Sequence, residues 1–222
     1  MLNLLRSLNI VRGNDTQVER VFSALVPDFR LMADTPPAEY VRYCIERFDA
    51  YKRNANELSA GQERGLNGKY FETVLATLFY NRKLVPFYLS AKVAFVPDIL
   101  YDFIFYDKTT GPVCVSAKTS LRERYKQADL EAMALKSVHR RSESYLLTLD
   151  GPAATQVAAK IRAGDMLGLD GVVDAESADM DRFVEAMSGR EFAVPGQVSV
   201  VTSSQAVGLS DLRLHAAKML FA

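Results

Sequence analysis

The sequence predicts an α/β fold, a central mixed β-sheet flanked by helices, and three stretches of the chain carry that prediction. Residues 101–106 (YDFIFY) and 112–118 (PVCVSAK) are extended patterns separated by the turn material of residues 107–111 (DKTTG), so they form a hairpin. A helical pattern follows at once in LRERYKQADLEAMALKSVHR, and residues 144–150 (SYLLTLD) are extended again. Ahead of the hairpin, residues 67–80 are helical and residues 84–96 extended.

The chain has 222 residues, of which 49% are hydrophobic and 24% charged, which suits one domain across residues 1–222 with one substantial core. No apolar run approaches ~18 residues. The N-terminal MLNLLRSLNIVRGND is broken by Arg6 and Asn9 too early for the apolar segment of a signal peptide, so the expectation is a cytoplasmic protein that does not engage a membrane. Two cysteines, Cys44 and Cys114, are too few for a disulfide framework or a cysteine zinc site and read as buried thiols. His139 and His215 stand far apart and near no nucleophile motif, which argues against a histidine-based hydrolase.

Formal net charge is zero, so no global field points to a polyanionic partner. The charges are nonetheless segregated: residues 118–143 carry seven Lys/Arg against four Asp/Glu, and residues 150–191 carry nine acids against four bases. A positive stretch therefore begins just after the hairpin.

Taken in order, residues 1–65 are mainly helical, with one apolar stripe in Val18, Val21, Phe22 and Leu25 and a second in Tyr40, Val41, Tyr43, Cys44, Ile45 and Phe48 after the Pro36-Pro37 break. The 67–80 helix buries Phe71, Val74, Leu75, Leu78 and Phe79, and Glu72 is its single acid. Ser120-x-x-Glu123 has the form of a capping box that starts the next helix just after Lys118, with Leu121, Tyr125, Ala128, Ala132 and Leu135 as its packing stripe. Residues 151–222 form an α/β region: helix at 153–161, strand at 167–173, helix at 179–187, strand at 198–202 and a closing amphipathic helix at 210–221. No repeat and no phosphate-binding glycine loop interrupts this order.

The hairpin centres near Thr109, so Asp102 falls opposite Ser116, each seven residues away, and Lys118 follows on the same face. This face resembles that of the PD-(D/E)xK nuclease superfamily, whose hairpin holds an aspartate on one strand and an acid-x-lysine triplet on the next. Here the triplet reads Ser116-Ala117-Lys118, with serine in the place of the acid. A subgroup of type II restriction endonucleases carries that acid on the helix that follows, and the matching position here is Glu131, thirteen residues beyond Lys118. A helix begun at Leu121 runs back ~15 Å over the sheet by Glu131. The resemblance covers residues 66–150.

The resemblance implies a restriction-endonuclease-like fold and a Mg2+-dependent DNA endonuclease, with Mn2+ able to substitute. Asp102 and Glu131 would ligate the metal, the Ala117 carbonyl would add a backbone ligand, and Lys118 would orient water or stabilise charge. Glu72, on the preceding helix, would hold a second metal or a water. Asp98 follows Pro97 in the literal Pro-Asp dipeptide but lies ~13 Å along an extended strand from the position opposite Ser116, so pairing favours Asp102. A bulge or a longer turn would favour Asp98 instead. Arg122, Arg124, Lys126 and Gln127 would contact DNA phosphates or a base edge, although ordinary helix solvation explains them equally well.

On this resemblance the partners are double-stranded DNA, a second copy of the chain in a homodimer, and a companion DNA methyltransferase in the same host. Two alternatives remain. One is a repair or recombination nuclease that reads DNA shape; the other is a nuclease-like DNA-binding module that lost its chemistry with the acid at position 116.

Overall fold

The computed structural model describes residues 4–11, 16–54, 60–96, 98–196 and 200–208. Helices α1 (Leu4–Ser7), α2 (Thr16–Leu25), α3 (Pro37–Asn54) and α4 (Ala60–Asn81) come first, with a short 3-10 turn at Phe29–Met32 between α2 and α3. Most of both N-terminal stripes is buried, Val18, Val21, Phe22, Tyr40, Val41, Cys44 and Phe48 lying inside, while Leu25, Tyr43 and Ile45 are half-buried against the same core. α4 buries Tyr70, Phe71, Val74, Leu75, Leu78 and Phe79 around most of its circumference, because α2 and α3 cover it on one side and the sheet on the other. Two buried threonines on it satisfy themselves locally: Thr73 donates to the Lys69 carbonyl at 2.8 Å and Thr77 to the Thr73 carbonyl at 2.9 Å.

The strands and remaining helices are β1 (Phe87–Val93), β2 (Tyr101–Asp107), β3 (Gly111–Lys118), α5 (Arg124–Val138), β4 (Glu143–Thr148), α6 (Gly151–Ala163), β5 (Gly171–Asp174), α7 (Ala178–Ser188), β6 (Val201–Thr202) and β7 (Gln205–Val207). Among the described residues they build a seven-stranded sheet ordered β5-β4-β3-β2-β1, with β6 and β7 both on the outer edge of β1. β1, β2 and β3 are antiparallel neighbours, whereas β3, β4 and β5 run parallel, so the sheet is mixed. The α4 face holds Phe79 against Phe87, Phe103, Phe105 and Phe183 with ring centroids 5.3–6.4 Å apart. The other face is covered by α5 and α6, through Ala128, Ala132, Leu135 and Val157.

The hairpin has the expected register: Phe103 pairs Val115, which centres the turn on Thr109 and aligns Asp102 with Ser116. One feature departs from simple alternation. Phe103 meets Phe79 of α4, yet Tyr101, of the same parity, packs with Leu135 and donates its hydroxyl to the Glu131 carbonyl of α5 at 3.2 Å. β1 does the same one strand away, with Leu89 on the α4 side, Ala91 beside Tyr101, and Ser90 between them at φ 45°. Both strands turn over along a line through Ser90 and Asp102.

The expected capping box is not formed. Glu123 occupies the N-cap without a side-chain cap, and α5 starts at Arg124. The reason is tertiary: the Leu121 amide donates to the Asp150 carboxylate at 3.3 Å, and Asp150 also caps α6 through the Ala153 amide. The stretch 121–123 is therefore a turn, and Glu131 lies only seven helical steps, about 10 Å, from the start of α5. Residues 198 and 199 of the predicted strand, and the predicted helix at 210–221, lie outside the described residues. No helix among the described residues is long and apolar enough to cross a membrane.

Candidate active site

The β2–β3 ladder stops at the Phe103–Val115 pair, and beyond it the Asp102 side chain takes over. Its Oδ2 accepts the Ala117 amide at 2.7 Å and Lys118 Nζ at 2.8 Å. The Lys118 side chain is 28% exposed and that of Asp102 21%, so the lysine is folded onto the aspartate instead of extending into solvent. An acceptor that satisfies a strand amide and an ammonium at once is fixed in place by the sheet itself. Both bonds end on Oδ2, which leaves Oδ1 as the second acceptor of a hard carboxylate.

Glu72 joins this pair from α4. Its carboxyl is raised above the ordinary glutamate range, chiefly by burial and then by the charge of Asp102, while Lys69 and Lys118 pull it the other way. Lys69 Nζ bonds it at 3.0 Å across one helical turn. The charges of Asp102 and Lys118 at the end of β3 thus act on a Glu72 that is itself paired with Lys69.

Glu131 is placed differently from Glu72. Its carboxylate accepts Gln127 Nε2 at 2.7 Å, one helical turn earlier, and its main-chain oxygen receives the Tyr101 hydroxyl. The structure thus brings the Glu131 turn to the strand residue next to Asp102 while its carboxylate is held by Gln127. Asp98 does not join the group: it sits in a turn at φ 46°, its side chain is 98% exposed, and its partner is Lys92 at 2.9 Å. β2 begins only at Tyr101, so the parity by which Asp98 matches Asp102 has no strand to act along. Pro97 lies outside the described residues.

Arg122 and Arg124 line a cleft of about 630 Å3 that opens beyond the ends of β3 and β4, with Thr119, Ser120 and Leu149. Lys126 is exposed and pairs with Glu123 at 2.5 Å. The opposite wall of the cleft comes from Phe48, Asp49 and Lys52 of α3, from Asn67 of α4 and from Glu176. Of these the sequence marks Phe48 alone, and only as part of an apolar stripe, because docking of α3 against the β3–α5 turn leaves no local pattern. Tyr101 likewise reads as an ordinary strand aromatic until its hydroxyl is seen to reach α5.

The donors at the end of β3 are hard oxygens: Asp102, Glu72 and the Ala117 backbone. Such oxygens are the donor type that Mg2+ or Mn2+ takes, and Glu72, raised chiefly by burial and then by the charge of Asp102, is a carboxyl whose charged form a cation there would favour. Among the described residues, no three His, Cys, Asp or Glu side chains stand close enough together to enclose a metal.

The mixed sheet with its hairpin-borne Asp102–Lys118 pair, layered between α4 and α5, has a restriction-endonuclease-like fold. Two solved structures make the likeness particular. The chain matches a restriction endonuclease PspGI–substrate DNA complex at a TM-score of 0.56 and 15% identity, covering 80% of this chain and 85% of that one. It matches metal-depleted Ecl18kI in complex with uncleaved, modified DNA at a TM-score of 0.50 and 15% identity, covering 78% and 76%. At such identities the likeness is one of fold. No protein-family model and no curated protein matches the sequence.

Proposed function

We propose that this chain is a Mg2+-dependent, sequence-specific DNA endonuclease of the type II restriction kind. The observation that carries the reading is the Asp102–Lys118 contact at 2.8 Å, under the charge of which Glu72 sits, in a fold similar to those of PspGI and Ecl18kI bound to DNA. Asp102 and Glu131 hold the metal together with the Ala117 carbonyl, and Glu72 holds a second metal or a water. A divalent cation bound there supplies the positive charge that phosphodiester hydrolysis requires and acidifies a water.

Lys118 offers an ammonium already oriented by Asp102 to a non-bridging phosphate oxygen or to the attacking water. Arg122 and Arg124 on the cleft, with Lys126 beyond them, neutralise neighbouring phosphates, and Gln127 adds an amide near the same helix start. The working unit is a homodimer on double-stranded DNA, protected in the host by a companion methyltransferase. Incubation with plasmid DNA and Mg2+ should give discrete fragments, with Mn2+ substituting and Lys118→Ala giving none. Intact plasmid under all metal conditions, or nicking confined to branched DNA, would reject the reading.

A further inference from the structure

We infer that Tyr101 is a positioning residue, which sets the Glu131 turn of α5 against the Asp102 position of β2. The inference rests on the proposed metal-binding roles of Asp102 and Glu131. Tyr101 is 2% exposed and packs in one cluster with Ala91, Val93, Ile104, Cys114 and Leu135. Phenylalanine would satisfy that packing, and what the hydroxyl adds among the described residues is its bond to the Glu131 carbonyl. A carbonyl inside a helix already accepts the amide four residues on, and the hydroxyl therefore uses its second lone pair. The bond is not needed to satisfy the helix. Its consequence is positional.

Two further observations give that position meaning. Tyr101 is covalently joined to Asp102, and it reaches α5 only because the strand turns over at Asp102. The same turn of α5 is held from its other side by the α6–β5 loop, where Asp129 Oδ1 accepts the Gly168 and Leu169 amides at 2.8 and 3.0 Å. Gly168 lies so close that a Cβ there would stand 2.2 Å from the Asp129 carbonyl oxygen and 2.6 Å from the Met133 nitrogen. Residues 129–133 are thus clamped between the Gly168 loop and Tyr101, with Glu131 at the centre. A carboxylate displaced from strand to helix needs such a clamp, because its distance to Asp102 depends on how two separate elements dock.

The test is a double-mutant cycle on Mn2+ binding, measured by calorimetry with the full chain, alongside thermal melts in chelator. Glu131→Gln should weaken Mn2+ binding, and Tyr101→Phe should weaken it by about tenfold while leaving the melt close to that of the parent. In the Glu131→Gln background, Tyr101→Phe should have no further effect, because its action passes through Glu131. Parent-like Mn2+ binding by Tyr101→Phe, when Glu131→Gln is weak, would overturn the inference alone. Equal weakening in both backgrounds would also overturn it, by marking Tyr101 as a packing residue. If Glu131→Gln itself binds Mn2+ as the parent does, the Glu131 reading fails and takes the inference with it.

Discussion

Tyr101 and Phe103 stand two residues apart on β2 and face opposite sides of the sheet, Tyr101 toward Leu135 of α5 and Phe103 toward Phe79 of α4. Asp102 therefore sits at the one place on β2 where the strand turns over, with an anchored aromatic on either side. Its carboxylate is free of the ordinary alternation and turns along the strand to meet the Ala117 amide and Lys118. The site owes its geometry to this local twist as much as to the residues it contains.

The tight approach of Gly168 to α5 gives a stability prediction. A Cβ at Gly168 would stand well inside contact distance of α5 backbone atoms, which cannot rotate away as a side chain can. Gly168→Ala should cost about 1–3 kcal/mol by forcing the loop from the helix. For a chain of this size the melting temperature should fall by about 2–4 °C per kcal/mol. Gly65→Ala, where an added Cβ meets nothing within 4 Å, is the control. Equal melts for the two variants would contradict the packing described.

Glu72 gives a pH prediction. Its folded-state pKa is raised by burial and by Asp102, so folding favours its protonation relative to the unfolded chain. That stability is fully present below the ordinary glutamate range and is lost as pH rises through the raised folded value. In chelator at neutral pH, Glu72→Gln should therefore melt above the parent, and the difference should shrink as the pH is lowered toward the glutamate range. Added Mg2+ should raise the parent melt and raise that of Glu72→Gln less. A variant that melts lower than the parent at every pH would count against a crowded carboxylate.

The two thiols should be silent in the native protein. Burial pushes Cys44 up to about 12, partly offset by its bond with Tyr40 and by Arg47, and burial alone pushes Cys114 well above its ordinary value. A thiol reagent at pH 8 should titrate neither cysteine in buffer and both in denaturant. Fast modification of one thiol in buffer would place it outside the core.

The parts of the site that could be read in the sequence are those set by local rules. Alternation and the turn residues 107–111 located the hairpin centre, and with it the Asp102–Ser116 alignment and the place of Lys118. Asp98 was harder to exclude, because parity carries a residue only as far as the strand continues, and β2 starts three residues later. The capping box at Ser120 failed through a distant competitor, Asp150, whose carboxylate takes the Leu121 amide. Tyr101 and the α3 wall of the cleft were invisible for the same reason. Each acts through an element remote in sequence, and only docking brings the two together.

The last prediction concerns Ser116 and Glu131. Ser116 is buried and, by alternation, shares the sheet face of Cys114, which packs with Leu135 of α5; Glu131 lies on that helix, one turn before Leu135. Strand position and helix position thus address the same side of the sheet, which is the condition for one carboxylate to stand in for the other. Glu131→Ala should lower Mg2+-dependent cleavage by orders of magnitude without unfolding the protein, because among the described residues its side chain is bonded to Gln127 at the surface. Adding Ser116→Glu restores a carboxylate from the strand and should recover part of the activity. Recovery should be incomplete, since a buried serine leaves little room for the longer side chain and its backbone origin differs. Cleavage by Glu131→Ala at the parent rate would show that the helix carboxylate is not a metal ligand.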